Sequence, residues 1–518
     1  MKSVFQHLVA LLLLLAAGGE GIQARTPEFS VRAFHLDFRT EVMTMEALER
    51  LVDRLAARGI NALVMEWEGS FPFEHNATLS NASAFTPEQI ASFVDYCGKR
   101  GVEVIPLQNC FGHCEYILRH DRYGALRESP KDPSQVCPSK IGEATDCFTS
   151  IFADVAALHP SGYFHIGADE TYLLGTCATC RARAEREGKS QLFVDYVRAM
   201  CGIVEKLGRK PLIWADMILK HPEALDELPQ GLIFVDWNYG WGPNHFGDLE
   251  NLRKRGVELW GAPALRSAPD NIYLTQWKKH FDNLADYVEY AREHDYTGMI
   301  ETSWSTSGTY GYLLDDGNEI TDMQPIRLVY PMSGFEILEA ACCEAFSKDA
   351  RFDPEAFVER YAQTELGLDE ADAAVLWRYF TMPQERVTVD ASGARDALGR
   401  PVSEVLDESL RMREELARIR PRRASEQVEH YRLMLDLRIE YLRFKQLEAQ
   451  YQSPEFNRAR AAELVSELGA LLAESPKLDR RFARLNEGFL KPREIAYVNT
   501  MRTWKMRSVL DRLKAIAR

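Results

Sequence analysis

The chain has 518 residues, 46% of them hydrophobic, which suffices for one large domain and a smaller second unit. Its 77 acidic residues outnumber its 62 basic ones and give a formal net charge of −15 at pH 7. This excess of negative charge opposes the phosphate contacts that nucleic-acid binding requires, so nucleic acid is excluded as an expected partner.

The N-terminal segment has the composition of a secretory signal peptide. Lys2 precedes an apolar run over residues 8–17, and small residues then lead to Ala24. This order of charge, apolar core and small residues is typical of a cleaved leader. We therefore expect residues 1–24 to be removed and the mature protein to be exported, to the periplasm or outside the cell. An uncleaved anchor is the alternative. No later segment reaches ~18 consecutive apolar residues, so no transmembrane span is expected once the leader is removed.

Eight short apolar segments then alternate with helix-length amphipathic stretches. The segments occupy residues 31–37, 62–68, 102–108, 163–169, 211–216, 232–237, 257–262 and 298–304. The stretches between them carry apolar residues at helical spacing, and they end in the glycine or basic residue typical of a helix C-terminus. Eight such pairs predict an α/β fold, a closed (β/α)8 TIM barrel, over residues 25–345. An open doubly wound sheet is the alternative, but no glycine-rich phosphate loop follows the first segment.

Beyond residue 345 the strand-like segments stop, and the sequence is charged and helix-periodic to its end. Pro421 and Pro454 interrupt the helical pattern. We predict an all-helical C-terminal domain over residues 346–518. Its charge runs indicate solvated helix faces. A coiled coil that holds a homodimer together is the alternative, although no sustained heptads support it.

Ten cysteines in a chain expected to be exported suggest either disulfides or a metal site. Cys177 and Cys180 form a single CxxC pair, and Cys137 and Cys147 lie upstream as candidates to complete a tetrahedral zinc site. One CxxC pair is a weak signal, so disulfides and buried free thiols stay open beside structural zinc. Nothing in the pattern indicates catalytic zinc.

Polar and aromatic residues close most of the predicted strands, at the end of a barrel that faces the ligand. These residues are Asp37, Glu66, Glu68, Gln108, Asp169, Glu170, Trp214, Asp216, Trp237 and Trp304. Carboxylates that accept from hydroxyls, together with indoles that stack on an apolar ring face, favour a sugar as ligand. Taken singly, each tryptophan is also compatible with the core, and the two adjacent acids are compatible with a solvated turn.

The run FHIGADETYLLG at residues 164–175 resembles the His-x-Gly-x-Asp-Glu signature of the family 20 glycoside hydrolases, the β-N-acetylhexosaminidases. Four further segments resemble the hexosaminidase D type of that family, in the same order: FHLDFR (34–39), LVMEWEGSFPFE (63–74), VIPLQNCFGHCEYILRH (104–120) and PLIWADM (211–217). The resemblance covers roughly residues 31–310, which includes the whole predicted barrel.

The resemblance implies an exo-acting enzyme in which two neighbouring carboxyls divide the work and no cofactor is needed. Glu170 would protonate the glycosidic oxygen and later activate water. Asp169 would orient the 2-acetamido group of the substrate, whose carbonyl oxygen attacks the anomeric carbon. Retention of configuration follows. The implied substrate is a glycan that ends in a non-reducing β-linked GlcNAc or GalNAc residue.

The same resemblance implies supporting roles around the pair. His113 corresponds to a histidine that hydrogen-bonds the acid, and Glu68 to a carboxylate that orients this histidine. Such a chain is expected to raise the pKa of the acid. His165 is expected to have a structural or hydroxyl-binding role. The indoles that enclose the acetamido methyl group and stack under the sugar ring correspond to Trp214, Trp237 and Trp304.

Two positions depart from the family pattern. Where the family has a tyrosine that binds the acetamido oxygen, residues 261–271 contain none, so Tyr239 and Tyr310 are the candidates from neighbouring loops. The arginine that grips sugar hydroxyls is also displaced. Arg39 lies close to its place, and Asp37 is expected to accept from those hydroxyls instead.

Two other functions stay open at the level of sequence. A different retaining glycosidase on the same fold would use carboxylates from two strands, and the adjacency of Asp169 and Glu170 argues against it. A non-catalytic carbohydrate-binding barrel is compatible with the missing tyrosine, but the intact carboxylate pair disfavours it.

Overall fold

The computed structural model describes residues 29–306, 328–347 and 351–518, so the predicted leader and Tyr310 lie outside the described residues. In chain order the first elements are β1 (Val31–Asp37), α1 (Met45–Ala57), β2 (Ala62–Glu66), α2 (Pro87–Gly98), β3 (Glu103–Pro106), α3 (Glu115–Leu118), α4 (Asp121–Gly124), β4 (Arg127–Ser129), β5 (Asp132–Val136), α5 (Ile141–Leu158), β6 (Tyr163–His165), α6 (Ala178–Glu187), α7 (Lys189–Lys206), β7 (Lys210–Trp214), α8 (Asp216–Lys220), β8 (Ile233–Trp237), α9 (Glu250–Arg253), β9 (Glu258–Ala262), β10 (Ala264–Arg266), α10 (Trp277–Glu293), β11 (Gly298–Ser303) and α11 (Glu336–Ser347).

Eight parallel strands form a closed barrel, which confirms the predicted fold class. Their order is β3-β2-β1-β11-β9-β8-β7-β6. A parallel bridge between Leu107 and His165 closes the ring between β3 and β6, where Gln108 N donates to His165 O at 2.9 Å. Each barrel strand begins at or next to the first residue of its predicted segment. Because the strands are parallel, their C-terminal ends meet at one end of the barrel.

Apolar side chains fill the barrel interior. They are Ala33, Ala62, Val64, Ile105, Leu107, Leu212, Trp214, Ile233, Val235, Trp260, Ala262 and Ile300. Gly298 makes room for the largest of them, because a Cβ at this position would lie 2.8 Å from the Trp260 ring. Trp237 and Trp304 pack on the edge of this cluster and are only partly buried. The barrel is therefore a packed core, and space for a ligand exists at its end.

The C-terminal region is helical, as predicted, with one exception. Its elements are α12 (Pro354–Thr364), α13 (Glu370–Thr381), β12 (Val387–Asp390), β13 (Gly393–Asp396), α14 (Val402–Arg418), α15 (Ser425–Tyr451), α16 (Arg458–Asn486), α17 (Pro492–Arg502) and α18 (Trp504–Ala517). The antiparallel hairpin of β12 and β13 departs from the all-helical prediction. Helix α11 continues to Ser347, so the predicted boundary after residue 345 falls within its last turn. Among the helices described, none is both long and apolar enough to cross a membrane.

The C-terminal helices pack against loops at the C-terminal end of the barrel. The Glu494 carboxylate accepts from Glu41 N at 3.2 Å and from Ser83 Oγ at 2.5 Å. Glu41 forms a buried ion pair with Arg266 at 2.7 Å, and burial nevertheless raises the pKa of Glu41 to about 7. These contacts brace the loop after β1, which contains Arg39.

Candidate active site

The Asp169–Glu170 pair lies just beyond β6 on a left-handed stretch of backbone. Gly167 and Ala168 both have φ of +71°, and Glu170 has φ of +47°. A Cβ at Gly167 would collide with the side chain of Asn109, so glycine is required there. Each non-glycine residue in this region costs of order 1–3 kcal/mol and persists only where its surroundings enforce it. This backbone ends the strand at His165 and turns both acids toward the barrel mouth.

Asp216 holds the backbone of Glu170 in this conformation. Its Oδ2 accepts from Glu170 N and from Lys220 Nζ, each at 3.2 Å. Asp216 is fully buried, and burial together with repulsion from Asp169 raises its pKa to about 6. The sequence placed Asp216 at a strand end without a role. The structure makes it a positioning residue for Glu170.

One imidazole nitrogen bridges the two carboxylates. His113 Nε2 lies 3.2 Å from Glu170 Oε2 and 3.4 Å from Asp169 Oδ2. The loop that carries His113 can approach this closely because residue 112 is glycine, where a Cβ would collide with the Asp169 carbonyl oxygen. The structure thus brings His113 to the pair, at the place that the resemblance implies.

His113 lowers the pKa of Glu170. Burial of Glu170 opposes this effect, but the hydrogen bond and positive charge of His113 and a hydrogen bond from Tyr172 OH at 2.6 Å bring the pKa of Glu170 below its ordinary value. Burial lowers the pKa of His113, yet the charge of Asp169 and hydrogen bonds to both carboxylates raise it well above its ordinary value. The expected upward shift of the acid's pKa is therefore wrong here. Both shifts favour a proton on His113 over a proton on Glu170.

Asp169 keeps one oxygen for a ligand. Its Oδ2 faces His113, whereas Oδ1 is buried and has no hydrogen-bond partner among the described residues. A buried carboxylate oxygen without a donor costs more than a typical hydrogen bond contributes, so such atoms usually have a function. Asp169 Oδ1 is suited to accept from an N–H or O–H of a bound molecule.

A pocket of about 410 Å³ opens over the pair. Its aromatic lining consists of Tyr172, Trp214, Trp237, Tyr239, Trp241, Phe246 and Trp304. Trp237 packs on Tyr239 and Phe246, with ring centroids 5.0 Å and 4.3 Å apart. Trp304 Nε1 donates to Tyr239 OH at 2.9 Å, so the Tyr239 hydroxyl hydrogen can serve another acceptor. A small aromatic enclosure with a few polar groups suits a single sugar ring.

Trp241 and Phe246 are pocket residues that the sequence reading missed. Both come from the loop after β8 rather than from a strand end. The signal was present, since the segment WNYGWGPNHF at residues 237–246 places several aromatic residues among glycine and proline. Exposed aromatics on a loop at the ligand end of a barrel favour a binding role.

Arg39, and not Asp37, presents polar atoms to the pocket. Asp37 Oδ1 accepts from Arg39 N and Nε at 2.8 Å and 3.0 Å, and Oδ2 accepts from Ser305 N and Oγ at 2.9 Å and 3.0 Å. The acceptors of Asp37 are thus occupied, and the prediction that it binds sugar hydroxyls is wrong. Arg39 lines the pocket, with its guanidinium carbon 5.1 Å from the centre of the Trp304 ring.

Glu68 does not orient His113. Neither Glu68 Oε2 nor His113 Nδ1 has a hydrogen-bond partner among the described residues, so the expected bond between them is not formed. Burial and the nearby charge of Glu66 raise the pKa of Glu68 well above its ordinary value. Glu66, rather than Glu68, reaches the pocket, where its Oε1 accepts from Asn109 Nδ2 at 2.7 Å.

His165 lies beneath the pocket. Its ring packs against Trp214 with centroids 4.4 Å apart, and its Nδ1 accepts from Gly167 N at 3.0 Å. Burial lowers the pKa of His165 well below its ordinary value, so the ring is neutral and able to accept this bond. The contact supports the turn that carries the carboxylates, in agreement with the structural alternative for this residue.

The predicted group of four cysteines is wrong in one member. Cys137, Cys177 and Cys180 lie together, and Glu128 completes a group whose ligand atoms all lie within 4.8 Å of one another. Cys147 lies on α5 and is not part of that group.

A larger cleft of about 810 Å³ lies between the loop after β8, α10 and the segment 381–385. Its described lining contains no histidine and no adjacent pair of carboxylates. The adjacent carboxylates Asp169 and Glu170 and the imidazole of His113 line the smaller pocket instead.

Comparison with known proteins gives a family and several relatives. Residues 29–308 match the family model described as "Glycosyl hydrolase family 20, catalytic domain". Hexosaminidase D of Bos taurus is 30% identical over 302 residues, which cover 55% of this chain and 87% of the relative. Hexosaminidase D of Homo sapiens is 29% identical over 304 residues, which cover 55% of this chain and 62% of the relative. Among solved structures, the chitobiase of Flavobacterium johnsoniae has a TM-score of 0.49 at 15% identity, covering 85% of this chain and 75% of that one.

Proposed function

The chain belongs to glycosyl hydrolase family 20, and we propose that it removes terminal β-linked N-acetylhexosamine residues from the non-reducing ends of glycans with retention of configuration. One observation carries this proposal: Asp169 and Glu170 share one imidazole nitrogen, while Asp169 Oδ1 has no partner among the described residues. Enzymes with their own nucleophile set two carboxyls across the scissile bond, about 5–5.5 Å apart. Adjacent carboxyls instead suit a reaction whose nucleophile belongs to the substrate.

In the first step, Glu170 is the general acid. The acetamido carbonyl oxygen bonds to the anomeric carbon while the glycosidic C–O bond breaks, and the proton of Glu170 passes to the departing oxygen. Asp169 Oδ1 accepts from the acetamido N–H. Its negative charge stabilises the oxazolinium cation, which develops only as the reaction proceeds.

In the second step, Glu170 is the general base. It takes a proton from water, the water oxygen bonds to the anomeric carbon, and the bond between that carbon and the acetamido oxygen breaks. The amide is restored and Glu170 is protonated again. Two inversions at one carbon give net retention.

The pocket supplies the remaining contacts to the sugar. The indoles of Trp214, Trp237 and Trp304 enclose the acetamido methyl group and the ring face. Tyr239 donates its hydroxyl hydrogen to the acetamido oxygen, in place of the family tyrosine. This hydrogen is available because Tyr239 is the acceptor in its bond with Trp304. Arg39, fixed by Asp37, binds ring hydroxyls.

Substrate binding moves the shared proton to the acid. The Glu170 side chain is 29% exposed, so a sugar above it displaces water. Desolvation disfavours a carboxylate and raises its pKa, whereas it lowers the pKa of an imidazolium. Both effects favour the transfer of the proton from His113 to Glu170, where the reaction needs it.

We expect His113→Gln to move the basic limb of the kcat/KM profile to lower pH. In the wild type, the His113–Glu170 pair titrates as a unit and keeps its proton up to the raised pKa of His113. Glutamine can donate to Glu170 but cannot hold the proton, so activity falls when Glu170 alone ionises. The measurement is kcat/KM against pH on para-nitrophenyl β-N-acetylglucosaminide. His120→Gln is the matched control, because His120 lies on the same segment outside the pocket lining. An unchanged basic limb in His113→Gln contradicts the shared proton.

The activity itself is tested with the purified protein on para-nitrophenyl β-N-acetylglucosaminide, the corresponding galactosaminide and the plain β-glucoside. We expect turnover of at least one aminosugar, a β-configured first product by NMR, and tight competitive inhibition by a thiazoline mimic of the oxazolinium. Turnover of the β-glucoside at a similar rate indicates another glycosidase. Thiazoline binding without turnover of either aminosugar indicates a non-catalytic barrel.

We further infer that the protein acts outside the cytoplasm. Lys2, the apolar run over residues 8–17 and the small residues up to Ala24 support this inference. A homodimer through the C-terminal helices stays a prediction.

A further inference from the structure

We infer that the chain binds a structural Zn²⁺ that holds the loop after Glu170 against the loop of His113. The ligands are Glu128, Cys137, Cys177 and Cys180. Metal binding at this place is independent of the proposed function, and only its effect on turnover rests on that function.

Three distances within the group are close to those of a tetrahedral zinc site, and all of its ligand atoms lie within 4.8 Å of one another. Cys137 Sγ lies 3.7 Å from Cys177 Sγ and 3.5 Å from Cys180 Sγ, and Cys180 Sγ lies 3.2 Å from Glu128 Oε2. With Zn–S bonds of about 2.3 Å and Zn–O bonds of about 2.0–2.2 Å, a tetrahedron separates two sulfurs by about 3.8 Å and a sulfur from an oxygen by about 3.5 Å. The observed separations agree with these values to within a few tenths of an ångström.

The charge of Glu128 calls for a cation at this place. Glu128 is 2% exposed, its carboxylate contacts Cys177 N and Cys180 Sγ, and none of the ion pairs found among the described residues includes it. A buried carboxylate that keeps its charge is usually paired or coordinates a metal. A disulfide between two of the three cysteines would leave this charge uncompensated and one thiol unpaired.

Backbone and side-chain donors already point at the group. Cys177 is the N-cap of α6, where its Sγ accepts from Cys180 N at 3.3 Å. Cys177 N donates to Glu128 Oε1 at 2.8 Å, and Ser139 Oγ lies 3.0 Å from Cys180 Sγ. Such contacts orient ligands and stabilise thiolate charge around a metal. Four protein ligands fill the tetrahedron, so the site is structural and leaves no position for a substrate.

The ligands lie on the two segments that support the catalytic pair. Cys177 ends the loop that begins after Glu170, and within this loop Leu173 N donates to Gln135 Oε1 of β5 at 2.8 Å. Glu128 and Cys137 lie on and just after the β4–β5 hairpin. This hairpin also holds the loop of His113, because Val136 N donates to Phe111 O at 2.9 Å and Cys114 N to Ser134 O at 3.0 Å. The metal thus joins, through one hairpin, the loops that carry the acid and its histidine.

The test is the metal content of the full-length protein, purified without chelator from zinc-containing medium and measured by inductively coupled plasma mass spectrometry. We expect one zinc per chain in the wild type, and a fall to near zero in Cys177→Ser and in Glu128→Gln. Cys147→Ser and Cys201→Ser are the matched controls and are expected to keep the zinc. Exchange with Co²⁺ is expected to give the visible and near-ultraviolet absorption of a tetrahedral thiolate complex.

Wild-type protein without stoichiometric zinc overturns the inference, as does zinc that both Cys177→Ser and Glu128→Gln retain. Titration of thiols in denaturant with chelator gives a second readout that does not depend on the variants folding. Ten reactive thiols are expected, since none of the ten cysteines forms a disulfide in the structure, whereas a lower count indicates a disulfide. Protein that is loaded with zinc but inactive on aminosugars counts against the proposed function and leaves the metal site standing.

Discussion

Replacing Glu170 by glutamine is expected to lower kcat on N-acetylhexosaminides by about 10²–10⁴-fold, the usual contribution of a general acid–base group. Glutamine has the size of glutamate and can keep contacts with His113 and Tyr172, but it cannot give a proton to the leaving oxygen or take one from water. The loss is expected to be larger for a disaccharide than for an aryl glycoside, because an aryl oxide departs without protonation. The measurement is kcat/KM for both substrates.

Glu187→Gln is the matched control for this change. It also replaces a glutamate by glutamine, but at the end of α6, outside the described pocket lining. Thermal unfolding of both variants shows whether the fold is kept. Equal losses on the disaccharide and the aryl glycoside would mean that Glu170 does not protonate the leaving group. Full activity of the Glu170→Gln variant would show that Glu170 has no part in the reaction.

Replacing Asp169 by asparagine is expected to lower kcat by about 10²–10³-fold, comparable to the loss of one preorganised group that stabilises transition-state charge. Asparagine can still accept from the acetamido N–H, but it carries no charge against the oxazolinium. Since that charge is absent from the bound substrate, KM is expected to change little. The affinity for a thiazoline inhibitor, which resembles the cation, is expected to fall much more than the affinity for substrate.

The comparison of Ki for the thiazoline with KM for the substrate therefore identifies the role of Asp169. If both constants rise by the same factor, Asp169 only binds the sugar and does not act on the transition state. If neither kcat nor Ki changes, the buried oxygen Oδ1 has no part in the reaction. Asp216→Asn separates this effect from positioning, because Asp216 bonds the backbone of Glu170 and the Lys220 side chain and does not line the pocket.

The barrel could be predicted from sequence because its signals are local. Each apolar segment of the predicted set marks a strand, and alternation with amphipathic stretches determines the parallel arrangement. The carboxylate pair was also predictable, since Gly167, Asp169 and Glu170 belong to one contiguous motif. Even there, the strand ends at His165 because Gly167 and Ala168 adopt left-handed backbone, which the apolar pattern does not report.

The errors concern contacts between residues far apart in the chain. Asp37 was expected to face the sugar, but Ser305, 268 positions away, occupies its Oδ2. The sequence does not identify Glu128 as a metal ligand, because a single glutamate in a short hairpin has no characteristic spacing from a CxxC pair. Local patterns cannot show which acceptor is already used or which side chains a fold brings together.

The β12–β13 hairpin, which the all-helical prediction lacks, has a local signal in the sequence. Residues 387–396 read VTVDASGARD, in which β-branched residues alternate with polar ones and a Ser-Gly pair follows, the usual mark of a hairpin. The structure has the antiparallel pair β12 and β13 there. The helical periodicity on both sides led to the all-helical prediction for the region.

The hydrogen bonds that join Asp37, Arg39 and Ser305 affect the order in which the pocket forms during synthesis. Asp37 ends the first strand of the barrel and Ser305 follows the last one. The adjacent Glu41 donates its backbone N–H to Glu494, 453 residues further along the chain. A nascent chain folds from its N-terminus as it leaves the ribosome, so the loop of Arg39 lacks its contact with Glu494 until nearly the whole chain has been synthesised. The contacts that support the pocket are therefore completed late in synthesis.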